Sequence, residues 1–273
     1  MPTNALPYRL AAIDLDDTLL GPDKQISPAN AEAVGRLREA GIHCVLSSGR
    51  RHENMVYFHQ ALGLDGFIVS CNGALVKSAE TNEVLREVLV PTALAQAIVQ
   101  AGDERGVTQN YYHTDGGLYV RGETEWTALY EVRTMSHVAV HGSLEDFGGR
   151  DALKIIWIDS SEKIQQWFHE FSALYQDDLY ITVTDPEYLE FMAKGVNKAV
   201  GVATVAEQRG IAPHEVLAFG DGNNDIQLLE WAGLSYAMDH ARPAAQRAAK
   251  RIAPTGSPES SFARAVNDFF HHW

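Results

Sequence analysis

Three groups of residues in this chain have the types and spacing needed for chemistry on a charged substrate. Asp14 and Asp16 stand two apart behind an apolar run, Ser47, Ser48 and Gly49 follow a second run, and Gly220-Asp-Gly-Asn-Asn-Asp225 follows a third. Carboxylates crowded together repel one another and are driven to bind protons unless a cation neutralises them. An oxygen-only donor set without His or Cys suits a hard ion, and Mg2+ held by one or two carboxylates plus a substrate phosphate is the usual pattern. With that charge screened, an anionic phosphate can approach. One Asp can then attack as a nucleophile. A second acid nearby can protonate the leaving oxygen and later take a proton from water. A D-x-D pair alone is more often a solvated turn, so the reading rests on the three groups meeting.

Meeting requires a scaffold that brings the ends of distant segments to one place. Arg9-Leu-Ala-Ala-Ile-Asp14 is a short continuous apolar run, the pattern of a strand buried on both faces. Residues 42–46, 67–70, 216–219 and 234–237 read the same way. Between them, Ser27 is an N-cap, Pro28 takes the first helical position and Gly41 stops a helix at Ala40. Further helices are expected over 53–62 and 223–231. This alternation predicts an α/β fold, a doubly wound parallel sheet whose strands deliver ligands at their carboxyl ends. From about residue 75 to 188 the strands alternate in polarity, as in Val107-Thr-Gln-Asn-Tyr-Tyr112, and turn signals such as Asp115-Gly-Gly117 appear. The expectation is an inserted α+β unit: 1–82 and 190–273 form a discontinuous core, and 83–189 an inserted cap. The aromatics of the insertion, Tyr111, Tyr112, Tyr119 and Trp126, read as core or surface residues, and His113 as a surface histidine.

Composition narrows the partners. Lys and Arg total 22 against 36 acidic residues, a net charge of −14. That balance argues against a nucleic acid or an anionic membrane as partner, while leaving room for a small anion beside a local cation. The two cysteines, Cys44 and Cys71, lie in strand-like runs and read as buried reduced thiols with no zinc spacing. No charged start precedes a long apolar stretch, and no run nears the ~18 residues that span a bilayer. A cytoplasmic protein acting on a small metabolite, monomer or homodimer, is expected.

Ile13-Asp-Leu-Asp-Asp-Thr-Leu19 resembles the first motif of the haloacid dehalogenase superfamily, hydrophobic residues followed by DxDxT. Leu46-Ser-Ser-Gly-Arg50 is similar to its second motif and Gly220-Asp-Gly-Asn-Asn-Asp225 to its fourth. The order and spacing, with Asn72-Gly-Ala74, resemble the Cof-type branch (class IIB), whose cap is inserted between motifs two and three. The resemblance implies a Mg2+-dependent phosphatase acting on small phosphate monoesters such as sugar phosphates, with a Rossmann-like core. It implies Asp14 as nucleophile, Asp16 as general acid and base, and Ser48 and Lys198 in phosphate binding. Gly49, Arg50, Asn72, Gly73 and Asn224 join the substrate-binding set. Asp221, Asp14 and the Asp16 carbonyl would hold the metal, with Asn224 and Asp225 completing or orienting the site. Lys194, one helical turn from Lys198, is a rival for the motif-three lysine. Ala237-Met-Asp-His240 departs from the common pattern with Asn, so a phosphate contact there is not expected. A phosphomutase of the same superfamily is the alternative reading, and a non-catalytic phosphate-binding regulator a further one.

Overall fold

A computed structural model describes residues 6–273; the reading of residues 1–5 as no part of a leader lies outside the described residues. The chain begins with β1 (Leu10–Ile13), α1 (Pro28–Glu39), β2 (His43–Leu46), α2 (His52–Ala61), β3 (Phe67–Ser70), β4 (Leu75–Ser78) and β5 (Val84–Glu87). There follow α3 (Thr92–Arg105), β6 (Thr108–His113), β7 (Leu118–Val120), α4 (Glu125–Thr134), β8 (Ala139–Val140), β9 (Ala152–Ile158), α5 (Ser161–Tyr175), β10 (Leu179–Val183) and β11 (Tyr188–Ala193). It closes with α6 (Lys198–Gln208), β12 (Val216–Gly220), α7 (Ile226–Trp231), β13 (Leu234–Ala237), α8 (Pro243–Ala248), β14 (Arg251–Ile252) and α9 (Ser261–His272). These elements form two compact units. The first is the chain up to Gly49 with Met55–Leu85 and Asn197–Trp273; the second is Arg50–Asn54 with Arg86–Val196.

The first unit is built on a parallel sheet of order β14-β13-β12-β1-β2. Leu10 pairs with Val216 on one side and His43 on the other, so β1 has strands on both flanks and its four residues are all buried. A fully apolar strand is what such a position demands. β3 runs beside the end of β2 through a Ser47–Val69 bridge and pairs antiparallel with β4. Helices cover the sheet through Val34 and Leu37 of α1, Phe58 of α2, Val202 and Val205 of α6, and Phe262 and Phe269 of α9. Burying each such side chain contributes ~1.5–3 kcal/mol. The last helix is docked by its aromatics, as the sequence suggests.

Local signals act as expected. Ser27 accepts from the Asn30 N–H at 3.2 Å, Pro28 opens α1, and Gly41 follows it at φ +81°. The segment 223–231 differs: it is a 3-10 turn, Asn223–Asp225, before α7. The Asp225 carboxylate folds back on the N–H groups of Asp221 and Gly222 and tightens that turn. Cys44 and Cys71 are buried and form no disulfide, and burial pushes the Cys44 thiol up to about 12. No described helix is long and apolar enough to cross a membrane.

The second unit carries a six-stranded sheet of order β10-β11-β9-β6-β7-β8, antiparallel except for β7 with β8. Tyr111, Ile155, Trp157, Leu189 and Phe191 point to one face, where α3 and α5 pack on them. The other face carries Tyr112, buried beside a Lys154–Glu190 ion pair of 3.0 Å. The Tyr112 and Tyr130 hydroxyls are hydrogen-bonded there.

Candidate active site

The parallel sheet of the first unit places Asp14, at the end of β1, beside the end of β12: the Asp14 N–H donates to the Phe219 carbonyl at 3.0 Å. On the other flank the Ser47 N–H donates to the Ile13 carbonyl. Two loops, one after each neighbouring strand, are thereby drawn to the first acid. A third arrives with α6. Asn197 caps that helix by accepting from the Val200 N–H at 3.0 Å, which makes Lys198 its first residue. Gly201 of α6 lies against Gly73, which has φ +91°. A side chain at Gly73 would collide with the Asn197 carbonyl. Only glycine permits that approach.

Lys198 is at the centre of the arrangement. Its Nζ lies 2.5 Å from Asp14 Oδ1 and 2.6 Å from Asp225 Oδ1, and its side chain is wholly buried. Asp225 in turn accepts from the Asp221 and Gly222 N–H groups at 3.0 and 2.9 Å through its other oxygen. Gly220 has no Cβ because Asp225 occupies the space one would take. Thr18 donates to Asp221 Oδ1 at 3.1 Å. Carboxylate oxygens of Asp14, Asp221 and Asp225 all lie within 4.8 Å of one another.

Three acids this close leave the single lysine outnumbered. Burial first, and then the Asp225 charge, push the Asp14 carboxyl well above its usual range, with Lys198 opposing. Asp221 is pushed up to about 8 by burial and by the charges of Asp225 and Asp17. Burial alone would depress the Lys198 ammonium, but Asp14 and Asp225 hold it above its ordinary value. Such a cluster fits a divalent cation, whose charge reverses the cost of ionising the acids. The donors are all oxygens, as a hard ion prefers. Asp225 is the least available ligand of the three, since both of its oxygens already accept strong hydrogen bonds.

Asp16 and Asp17 lie in the wide turn Leu15–Leu19, where Asp17 adopts a left-handed conformation at φ 57°. Lys24 Nζ sits 3.2 Å from Asp16 and 3.4 Å from Asp17. His240 Nε2 meets the Asp17 carbonyl at 2.7 Å, so the residue that departs from the motif supports this turn. Around the second strand end, the Asn72 N–H donates to the Ser48 carbonyl at 3.0 Å, and Asn224 Nδ2 donates to Asn72 Oδ1 at 2.9 Å. A side chain on Gly49 would crowd the Asn72 amide. Ser48, Gly49, Asn72, Gly73 and Asn224 therefore form one neighbourhood, joined to the lysine by the Asn224-Asp225 peptide.

Two residues named from the sequence belong to the second unit. Lys194 belongs to the second unit and donates to the Gln176 carbonyl at 2.6 Å. Arg50 also falls in the second unit, where its Nη1 donates to the Thr134 carbonyl at 2.9 Å. Sequence reasoning did not single out Lys24 and named His240 only as a departure from the motif; their contacts with the acidic turn have no sequence signal. Thr18 stands four residues after Asp14 in the quoted motif, so its place was available to be read.

Comparison with known proteins agrees with this geometry. The profile of the haloacid dehalogenase-like hydrolases matches residues 11–265. The chain belongs to that family. As a haloacid dehalogenase-like hydrolase it is similar to a 5-amino-6-(5-phospho-D-ribitylamino)uracil phosphatase of Bacillus subtilis, 27% identical over 97% of this chain and 98% of that protein. It is 26% identical to an HMP-PP phosphatase of Klebsiella pneumoniae, over 97% of this chain and 95% of the relative. Among solved structures, a haloacid dehalogenase-like hydrolase from Bacteroides thetaiotaomicron superposes with a TM-score of 0.86 at 25% identity, covering 96% of this chain and 100% of the other.

Proposed function

We propose that this hydrolase is a Mg2+-dependent phosphatase that cleaves small phosphate monoesters, sugar phosphates or related metabolites, through a phosphoryl group carried on Asp14. The observation that supports this most is the buried Lys198 between Asp14 and Asp225, with Asp221 beside them. Relatives that act as phosphatases on phosphorylated small molecules point the same way.

In this reading Asp14 Oδ1 is held by Lys198, which leaves Oδ2 to attack phosphorus. The new Oδ2–P bond forms as the bond to the leaving oxygen breaks, and Asp16 supplies the proton that oxygen needs. Asp16 then takes a proton from water as the water oxygen bonds phosphorus and the Asp14 carboxylate departs. Lys198 and Ser48 hold phosphate oxygens, and Gly49, Asn72, Gly73 and Asn224 line the substrate. Asp14, Asp221 and the Asp16 carbonyl would hold Mg2+, which when bound offsets the negative charge shared by the carboxylates and phosphate.

The test is phosphate release from a panel of sugar and nucleotide phosphates, with Mg2+ and with excess EDTA. Metal-dependent release with a few preferred substrates is expected. Return of the phosphoryl group to the sugar would identify a phosphomutase instead, and silence across the panel would overturn the hydrolytic reading.

A further inference from the structure

The turn that carries Asp16 is gripped at more than one place, always from within the first unit. Lys24 Nζ reaches its carboxylates, at 3.2 Å for Asp16 and 3.4 Å for Asp17. The Leu20 N–H closes its base on the Leu15 carbonyl at 2.8 Å. The apex has a separate hold. Asp17 stands there at φ 57° and ψ 8°, a left-handed conformation unfavourable for a residue with a Cβ. Such a residue keeps its shape only where its surroundings overdetermine it. His240 acts at that point, with Nε2 2.7 Å from the Asp17 carbonyl oxygen. A carbonyl can only accept, so Nε2 carries a proton.

His240 is itself fixed. Its loop follows β13 and is tied to the end of β12. The Met238 N–H donates to the Gly220 carbonyl at 3.1 Å, and the Arg242 N–H to the Asp221 carbonyl at 2.8 Å. Behind the ring, Nδ1 faces Asp239 Oδ1 at 3.4 Å. The Ser261 hydroxyl and the Arg264 guanidinium each donate to that oxygen at 2.9 Å, and the Gly256 N–H donates to Asp239 Oδ2 at 3.1 Å. Burial would raise the Asp239 carboxyl, but these donors hold it below its usual range. An immobile carboxylate behind the imidazole and a carbonyl in front of it fix the ring's orientation. The loop therefore meets the site twice, by its main chain at Asp221 and by His240 at the residue after Asp16. Both ends of the turn are fixed, at β1 and at the Leu20 bond. If Asp17 relaxed out of the left-handed region, the adjoining Asp16 would have to turn with it.

We propose that His240, braced by Asp239, is a positioning residue for Asp16: its bond to the Asp17 carbonyl keeps the turn in the shape that aims the Asp16 carboxyl at the leaving oxygen. His240 touches no phosphate and transfers no proton in the reaction. The kinetic part of this proposal rests on the phosphatase reading; the hold on the turn does not.

The experiment uses the full-length protein and its His240→Ala and His240→Gln variants. The glutamine amide keeps a donor for the Asp17 carbonyl, and alanine does not. kcat/KM is measured on the preferred panel substrate, an alkyl phosphate, and on p-nitrophenyl phosphate, whose phenolate departs without help from an acid. His240→Ala should lower kcat/KM about 10-fold or more on the alkyl ester, as misplacement of an acid does, and far less on the aryl ester. His240→Gln should recover most of the loss. A merely structural role would lower both substrates equally, and that result, or wild-type values on both, would overturn the proposal. Hydrogen exchange over 14–20 in the metal-free protein should be faster in His240→Ala and restored in His240→Gln. Should His240→Ala fail to fold, His240→Phe keeps the bulk of the ring without either nitrogen and is read the same way. If the wild type releases no phosphate from either ester, the phosphatase reading fails, and exchange over 14–20 alone decides whether His240 holds the turn.

Discussion

Lys198 Nζ lies 2.6 Å from Asp225 Oδ1, and neither side chain is exposed to solvent at all. A charge pair removed this far from water stabilises little by itself, yet breaking it leaves an uncompensated charge in a place that cannot hydrate it. Here the lysine also serves Asp14, so its loss strands two carboxylates. Lys198→Met should lower the unfolding free energy by about 3–5 kcal/mol, measured by urea denaturation in the absence of metal. Wild-type stability would show that the acids are neutralised by some other means.

Asp14→Asn should behave in the opposite way. The Asp14 carboxyl is held above its usual range by burial and by its acidic neighbours, so the fold bears a cost for its charge. An amide of the same shape removes that cost along with the carboxylate proposed as nucleophile. Turnover should vanish while the metal-free melting temperature stays level or rises. A variant that retains substantial activity would remove Asp14 from the nucleophile role.

Added Mg2+ should stabilise the protein against heat, because an ion bound only by the native state contributes about 2.7 kcal/mol at a hundred times its dissociation constant. Asp221→Asn should abolish most of that increment, since the Asp221 carboxylate faces the cluster with only one oxygen engaged by Thr18. Thermal scans with and without EDTA measure both. An undiminished Mg2+ effect in the variant would place the ion elsewhere.

A pH dependence unrelated to catalysis is expected at the opposite end of β2. Burial first, and then the Arg209 charge, depress His43 to about 4, and burial also depresses His59. A histidine whose folded pKa lies below its unfolded value of 6.5 keeps the fold at full stability above that value. Stability is lost as the pH falls from there towards about 4, because the unfolded chain takes up the proton first. His43→Gln should flatten the decline in melting temperature across this range. An identical slope in the variant would assign the effect to other groups.

The scaffold was legible because parallel strands buried on both faces write themselves as unbroken apolar runs, as at Leu10–Ile13 and Val216–Gly220. Their order fixes which loops share an edge, so Asp14, Ser48 and Asp221 could be assigned to one end of the sheet from sequence. The choice of Lys198 over Lys194 was open, since both lie near the same helix start, and only the Asn197 cap and the burial of α6 separate them. Asp225 was named as a supporting residue, but its bond to the lysine depends on a turn geometry no periodicity records. Lys24 and His240 reach the acidic turn from loops far along the chain or on its other side.

The pairing of β1 with β12 carries a consequence for how the molecule is made. Thr18 and Asp221, hydrogen-bonded in the finished protein, are 203 residues apart. At about 5–20 residues per second on a ribosome, the second half of the site follows the first by roughly 10–40 s. Throughout that interval the strand Leu10–Ile13, apolar along its whole length, has β2 available on one flank and nothing on the other. The nascent chain therefore presents an apolar strand edge beside Asp14 until β12 emerges to cover it.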